Sequence, residues 1–406
     1  MRIFPSTQRR TRRGGGAVFV ISAFLLIALL GITGLVFDVG QIKVLRTQLQ
    51  AGADASTLAA ARELVSGLGP YASRTPAEAE AAARAVAVQY AALHRSGDLN
   101  SAYVDPNRDV NFGKATYDQA TNTWTLEWGG TPANMVRVNL LRNQAGSANG
   151  DGPLPLVFGT LFQKLTADVR AYATAAVLPG YRFEIPPQSG YCCGIIPFSL
   201  DKETWDLVSG NFDSNDPLAE RYELLPDNYK HHGDDTVTNV PDGKKEGDLY
   251  PYINDPLLPN AGNRGTVDIG FHGNSTQEIK DQIINGVCEV DLSAESNLYA
   301  SEDEPLTLNG DTGLSAGFSS ELIAIIGIPK MVPIFASTNP LNGNNADFEI
   351  VGWAPIVILA VDLTGDPAYK HIYFQPATIS DECVVVDLDG EITEETSIFA
   401  KPVLIE

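Results

Sequence analysis

The run AVFVISAFLLIALLGITGLVF at residues 17–37, continued without a break by Asp38-Val39-Gly40, decides how the rest of the chain is read. Its 21 residues hold no charge and no proline. As a helix they extend ~31 Å, about the thickness of a bilayer's hydrocarbon core. A transmembrane helix over 17–37 is therefore expected. Arg9, Arg10, Arg12 and Arg13 stand just before it, and positive charge beside a first span is held on the cytoplasmic side. This predicts a cytoplasmic basic tail at 1–16, with everything after the span exported. A cleaved signal peptide has a shorter apolar region, ~7–15 residues, ending at a small-x-small site. Residues 35–38 offer no such site, so an uncleaved signal anchor in the cell membrane is expected.

Beyond Asp38 the helical pattern carries on, because Leu45, Leu49, Leu58 and the alanines between them are good helix formers and no proline intervenes before Pro70. A helical extension over 38–66 is expected. Its small residues, Ala51, Gly52, Ala53, Ala55 and Ser56, suit either close approach by another membrane-anchored helix or packing on the chain's own domain. The order of residues here is an apolar run, Asp38-x-Gly40, a mixed turn, Leu49-Gln50-x-x-Ala53-Asp54-Ala55, then Leu58-Ala59-Ala60. This module resembles that of the TadE/TadG-like proteins of tight-adherence (Flp) pilus assembly. The resemblance implies a non-enzymatic assembly component that contacts other pilus-assembly proteins through its N-terminal helix. Relatives of this kind are cut after a glycine before the apolar run and carry glutamate five residues on. Gly14, Gly15 and Gly16 supply the glycine, but Phe19, Val20 and Ile21 fill the fifth positions, so residues 1–16 are expected to stay attached.

Charge is divided unevenly. The first 50 residues hold seven bases and one acid, while the remainder holds 21 bases against 49 acids. A domain that acidic repels phosphate, which excludes nucleic acid as a partner. The four cysteines, Cys192, Cys193, Cys288 and Cys383, all lie on the exported side, where disulfides form. Three pairings are possible. A long-range link from the vicinal pair to Cys288 or Cys383 is expected over a strained bond between neighbours, and the spacing does not suit zinc.

The remainder reads as α+β. Thr75-Pro76-Ala77-Glu78 forms a capping box with proline at the first helical position, opening a helix to about residue 94 with Ala79, Ala83, Val86, Tyr90 and Leu93 on its apolar face. Alternating runs at 109–117, 123–128 and 135–140 predict strands. A short amphipathic helix at 154–165 and a fourth strand at 167–178 complete a pilin-like α+β unit over 75–179. After a linker at Pro186-Pro187, a β-rich extracytoplasmic domain over 180–406 is expected. Its strands lie at 267–271, 331–336, 348–361, 371–374 and 384–388, with helices capped by Asp201 and Ser275.

Recognisable chemical motifs are few in the sequence. The chain lacks Gly-x-Ser-x-Gly, His-Glu-x-x-His, Gly-x-x-x-x-Gly-Lys-Ser/Thr and Gly-x-Gly-x-x-Gly. Asp291-Leu292-Ser293-Ala294-Glu295 approaches the metal-adhesion motif of some TadG-type relatives but ends in glutamate, so that function is not carried over. His231-His232 before Asp234-Asp235 lack a third, separated ligand segment. A calcium loop beginning at Asp387 would end on Ile398, which offers no carboxylate. The acidic turns 212–216 and 301–304 are read as solvated, with exported calcium as the alternative. No catalytic, cofactor or metal residue is assigned. The rival to an assembly component is a membrane-tethered enzyme or a surface binding module, with Trp205 and Trp353 as its ligand candidates.

Overall fold

The computed structural model describes residues 15–118, 120–184, 190–212, 215–251, 257, 264–270, 273–292, 298–340, 345–366, 369–387, 392 and 396–405. Several expectations lie outside these: the arginines Arg9, Arg10, Arg12 and Arg13, Gly14, the Pro186-Pro187 linker, Asp213, Ser214, Phe271, and residues 293–295 and 388–391.

The chain is α+β with a β-rich C-terminal region. Helix α1, Gly15–Leu64, is one uninterrupted element of 50 residues. It passes into a 3-10 turn, Val65–Gly67. Helix α2, Pro76–Ala92, opens on the expected capping box: the Thr75 N–H donates to Glu78 Oε2 at 2.9 Å and the Glu78 N–H donates to Thr75 Oγ1 at 3.3 Å. The buried stripe of α2 is Ala79, Ala83, Ala87 and Ala91, while the larger Tyr90 and Leu93 are exposed. Small side chains let the helix backbone approach its neighbours, and the bulky ones turn outward.

Strands β1 (Val110–Asp118), β2 (Thr123–Trp128), β3 (Met135–Arg142) and β4 (Val169–Ala176) form a sheet in the order β2-β1-β3-β4, extended by β11 (Val403–Leu404), which pairs antiparallel with the end of β4. The expected helix at 154–165 is absent. In its place Leu154–Pro155 pairs with Thr166–Ala167 around a 3-10 turn, Gly159–Phe162. Gly159 breaks the helical register here: a Cβ on it would strike the Lys164 carbonyl, and its own carbonyl accepts the Lys164 N–H that closes the turn.

By compactness the chain divides into two units. The first comprises 1–56, 88–105 and 138–173; the second comprises 57–87, 106–137 and 174–406. Within the second unit a larger sheet surrounds strand β9 (Asn345–Asp362). Strands β5 (Phe198–Asp201), β6 (Gly265–Val267), β7 (Leu306–Thr312) and β8 (Pro329–Pro340) join it in a ring in which β5 pairs with β6, β6 with β7, β7 with β9, β9 with β8, and β8 in parallel with β5. Strand β10 (His371–Pro376) continues the edge of β9 that β7 leaves. Strand β7 faces residues 345–350 of β9 and β10 faces 356–362. Pro355, which has no N–H to offer a ladder, falls in the gap between them.

Two large apolar clusters pack this sheet among the described residues. One gathers Phe335, Ala346, Phe348 and Ile350 with Val267 and Ile269. The other gathers Ala354, Ile356 and Ile358 with Val332, Ile334 and Phe374, closed by helices α3 (Lys202–Ser209) and α4 (Thr276–Asn285). Each fully buried side chain of this size contributes roughly 1.5–3 kcal/mol. Both helices carry the expected caps: Asp201 accepts from the Thr204 N–H and Ser275 from the Glu278 N–H.

Candidate functional site

The candidate surface is α1, and its two halves live in different surroundings. From Val18 to Val39 nearly every large side chain is exposed, Phe19 to 75 %. That face is long and apolar enough to cross a membrane. In water it would be an apolar surface far larger than a monomeric soluble protein tolerates.

Asp38 ends the apolar run and is itself buried. Its two carboxylate oxygens accept the backbone N–H groups of Val157 and Phe158, each at 3.0 Å. One turn earlier, Gly34 leaves a notch for the Phe158 ring; a Cβ there would stand 2.6 Å from that ring. The Phe37 ring meets the Phe158 ring edge to face, with centroids 5.9 Å apart. The acid of the motif therefore pins the turn that replaced the expected helix. Nothing in the structure explains Gly40, which is exposed and whose added Cβ would meet no atom.

Further along, the motif residues pack inward. Leu49, Ala53, Ala60 and Ala61 are fully buried, with Ala55, Leu58 and Ala59 half-buried. Gly52 faces Leu140 and His94. Gln50 donates to the Tyr172 carbonyl of β4 at 3.1 Å and to Asp54 at 2.8 Å. Gln48 accepts the Gly97 N–H at 2.8 Å. The small-residue face is thus occupied by the chain's own fold. A visiting helix would find Lys43, Val44, Arg46, Thr47, Gln50 and Ala51, the exposed positions between 41 and 61.

The cysteines lie elsewhere. Cys192 is bonded to Cys288 across two antiparallel strand residues, and Cys193 to Cys383, so none of the four is free. Asp381 stands by the second bond, where it accepts the N–H groups of Gly194 and Cys383. Thiols held in a disulfide bind no metal.

His231 ends the short strand Lys230–His231, and His232 opens the turn that follows, where its N–H donates to the Thr236 carbonyl at 2.8 Å. His231 is buried, and its Nε2 is 3.8 Å from Asp235, while His232 Nε2 meets Thr238 Oγ1 at 2.8 Å. Asp234 accepts the Thr236 hydroxyl at 2.6 Å, and that bond holds its carboxyl below the usual range. The acids serve their own turn. The two tryptophans are also engaged in packing: Trp205 lies edge-on to Tyr71, and Trp353 Nε1 donates to the Leu298 carbonyl at 2.8 Å.

Sequence reading missed a buried ionic node. Arg264 is almost fully buried, with Nε donating to Asp201 at 2.6 Å, Nη1 to the Asp248 carbonyl and Nη2 to Thr204. The Asp248 carboxylate accepts the Tyr250 and Ile372 N–H groups, and burial pushes its carboxyl up. Burial likewise pushes up Glu246, which accepts the Asn228 and Tyr229 N–H groups. Each nitrogen of the Arg264 guanidinium thus donates to a group inside the fold, which ties β5, α3 and β6 together.

Compared with curated proteins and with solved structures, the chain matches none. Residues 15–63 match the family model described as putative Flp pilus-assembly TadE/G-like. That span coincides with α1 to within one residue, and it is this N-terminal module that carries the TadE/G-like likeness.

Proposed function

We propose that the chain is a single-pass, membrane-anchored component of a Flp pilus-assembly system that acts by protein contact rather than catalysis. In this reading the arginine-rich N-terminus stays in the cytoplasm and the domains after α1 lie outside the membrane, joining pilus or envelope partners. One observation carries it: the family match ends where α1 ends, so the matched module is a single helix whose first half is exposed and apolar and whose second half is built into the fold. The two disulfides suit an exported domain.

The test must leave the folded half intact, because scrambling 49–61 would destroy a core. Residues 18–33 are replaced by an unrelated leucine-alanine span of equal length, and recovery of pilus-assembly proteins with the tagged, membrane-extracted protein is compared. Loss of those partners with folding unchanged supports contact through the helix. Equal recovery by both proteins counts against it.

A further inference from the structure

We propose that the turn 156–165 inserts into the lipid interface beside α1 and forms a second membrane contact. This rests on α1 being the membrane span. Five large apolar side chains crowd the turn: Val157, Phe158, Leu161, Phe162 and Leu165 are 58 %, 37 %, 65 %, 56 % and 65 % exposed. Such a cluster has no reason to face water.

Its place on α1 names the occupant. Phe158 sits in the Gly34 notch against Phe37, and Asp38 holds the two N–H groups beneath it. Gly34 to Phe37 is the last ~4.5 Å of the apolar run at the rise of an α-helix. The turn is therefore fastened at the depth where hydrocarbon gives way to headgroups, and its apolar face continues that of the helix. Phe and Leu side chains of segments lying at an interface are buried to that depth. Lys164 on the same turn is exposed, as are Lys43 and Arg46 one to two helical turns beyond Asp38, positions that let their ammonium and guanidinium groups reach phosphate.

Backbone chemistry agrees. A segment entering a poorly hydrated layer must satisfy its own polar groups. Here Leu156 N–H donates to the Leu165 carbonyl, Leu161 to Phe158, Gln163 to Thr160 and Lys164 to Gly159, while Val157 and Phe158 use Asp38. The base of the turn is held by Arg142, which donates from Nε to the Gly152 carbonyl at 2.6 Å and from Nη2 to Asp98 at 2.9 Å.

The test uses the full chain with its native disulfides intact. One cysteine is added at Leu161→Cys or, as a second site, Leu165→Cys, and labelled with an environment-sensitive fluorophore. The protein is reconstituted in phosphatidylcholine–phosphatidylglycerol vesicles that carry lipids spin-labelled near the headgroup or deep in the acyl chain. Ala28→Cys reports on the helix. Loss of most emission to the shallow quencher at both turn sites, with loss to the deep quencher at Ala28→Cys, is the expected result. Turn labels that neither quencher touches, while Ala28→Cys is quenched, overturn the inference and leave the span standing; the apolar turn would then belong to a protein partner. Ala28→Cys untouched by both quenchers overturns the span and the inference together.

Discussion

Replacing Asp38 with alanine isolates what this acid does in the TadE/G-like module. The carboxylate accepts two backbone N–H groups at 3.0 Å from a buried position. A hydrogen bond to a charged acceptor contributes about 1.5–3 kcal/mol net when both partners stay dry. Val157 and Phe158 are partly exposed, so their freed N–H groups can find water, and the pair together is worth about 2–3 kcal/mol. Since ~1.4 kcal/mol is a factor of ten, opening of the turn should become roughly 30- to 150-fold more frequent. Hydrogen–deuterium exchange of the purified protein, read on the peptide that covers 156–165, measures this directly. Asp38→Ala should speed exchange there and leave the strands of the β9 sheet unchanged. Unaltered exchange over 156–165 would refute the assignment of Asp38 as the clasp of this turn.

Gly34→Val should loosen the same turn by a different route, since its Cβ would stand 2.6 Å from the Phe158 ring; the same exchange peptide reports it, and normal protection would show that the notch is unused. Asp201→Ala leaves Arg264 buried without its 2.6 Å partner and removes the cap on Thr204, a loss of about 3–5 kcal/mol seen as a lowered melting temperature, with Asp201→Asn milder. The disulfides close spans of 96 and 190 residues, each stabilising by up to roughly 5 kcal/mol on the chain-entropy model; non-reducing mass spectrometry should find Cys192–Cys288 and Cys193–Cys383, and four alkylatable thiols would remove both. Burial raises the folded pKa of Asp248 above the ordinary 3.8, so the native state binds protons that the unfolded chain does not. Its contribution to stability therefore grows as pH falls from neutral through the folded pKa and is lost as pH rises. The melting-temperature difference between the parent protein and Asp248→Asn should shift in the parent's favour on acidification, and a difference independent of pH would refute this.

Elements with local causes were legible in the sequence. The apolar run gave α1, Thr75 and Glu78 gave the start of α2, and Asp201 and Ser275 gave the caps of α3 and α4, because each depends on residues a few positions apart. The turn at 156–165 was misread because its spacing of Leu154, Val157, Phe158, Leu161 and Leu165 fits a helix. Only tertiary context shows why it is not one: Asp38, far away in sequence, takes the N–H groups at its start, and Gly159 folds the chain back. The ring around β9 depends on pairings such as Ile334 with Leu200 that no local pattern announces. The same holds at the candidate site. The motif acid stood out in the sequence, whereas the partners it holds and the glycine notch beside it did not, since a glycine in an apolar run looks like any other small residue. The alanine-rich stretch after it fitted a partner helix and a self-packed helix equally well by composition, and only burial distinguishes them.

Strand β11 returns from the far end of the sequence to the edge of β4. Val403 pairs with Ala176 and Leu404 with Ala175, so a sheet whose other strands are made early stays one strand short until a segment made much later has joined it. The edge of β4 therefore waits open through most of synthesis. An open edge is where another chain's strand can dock. The late arrival of β11 closes that edge last, so the early strands of this sheet are protected only when the whole chain is made.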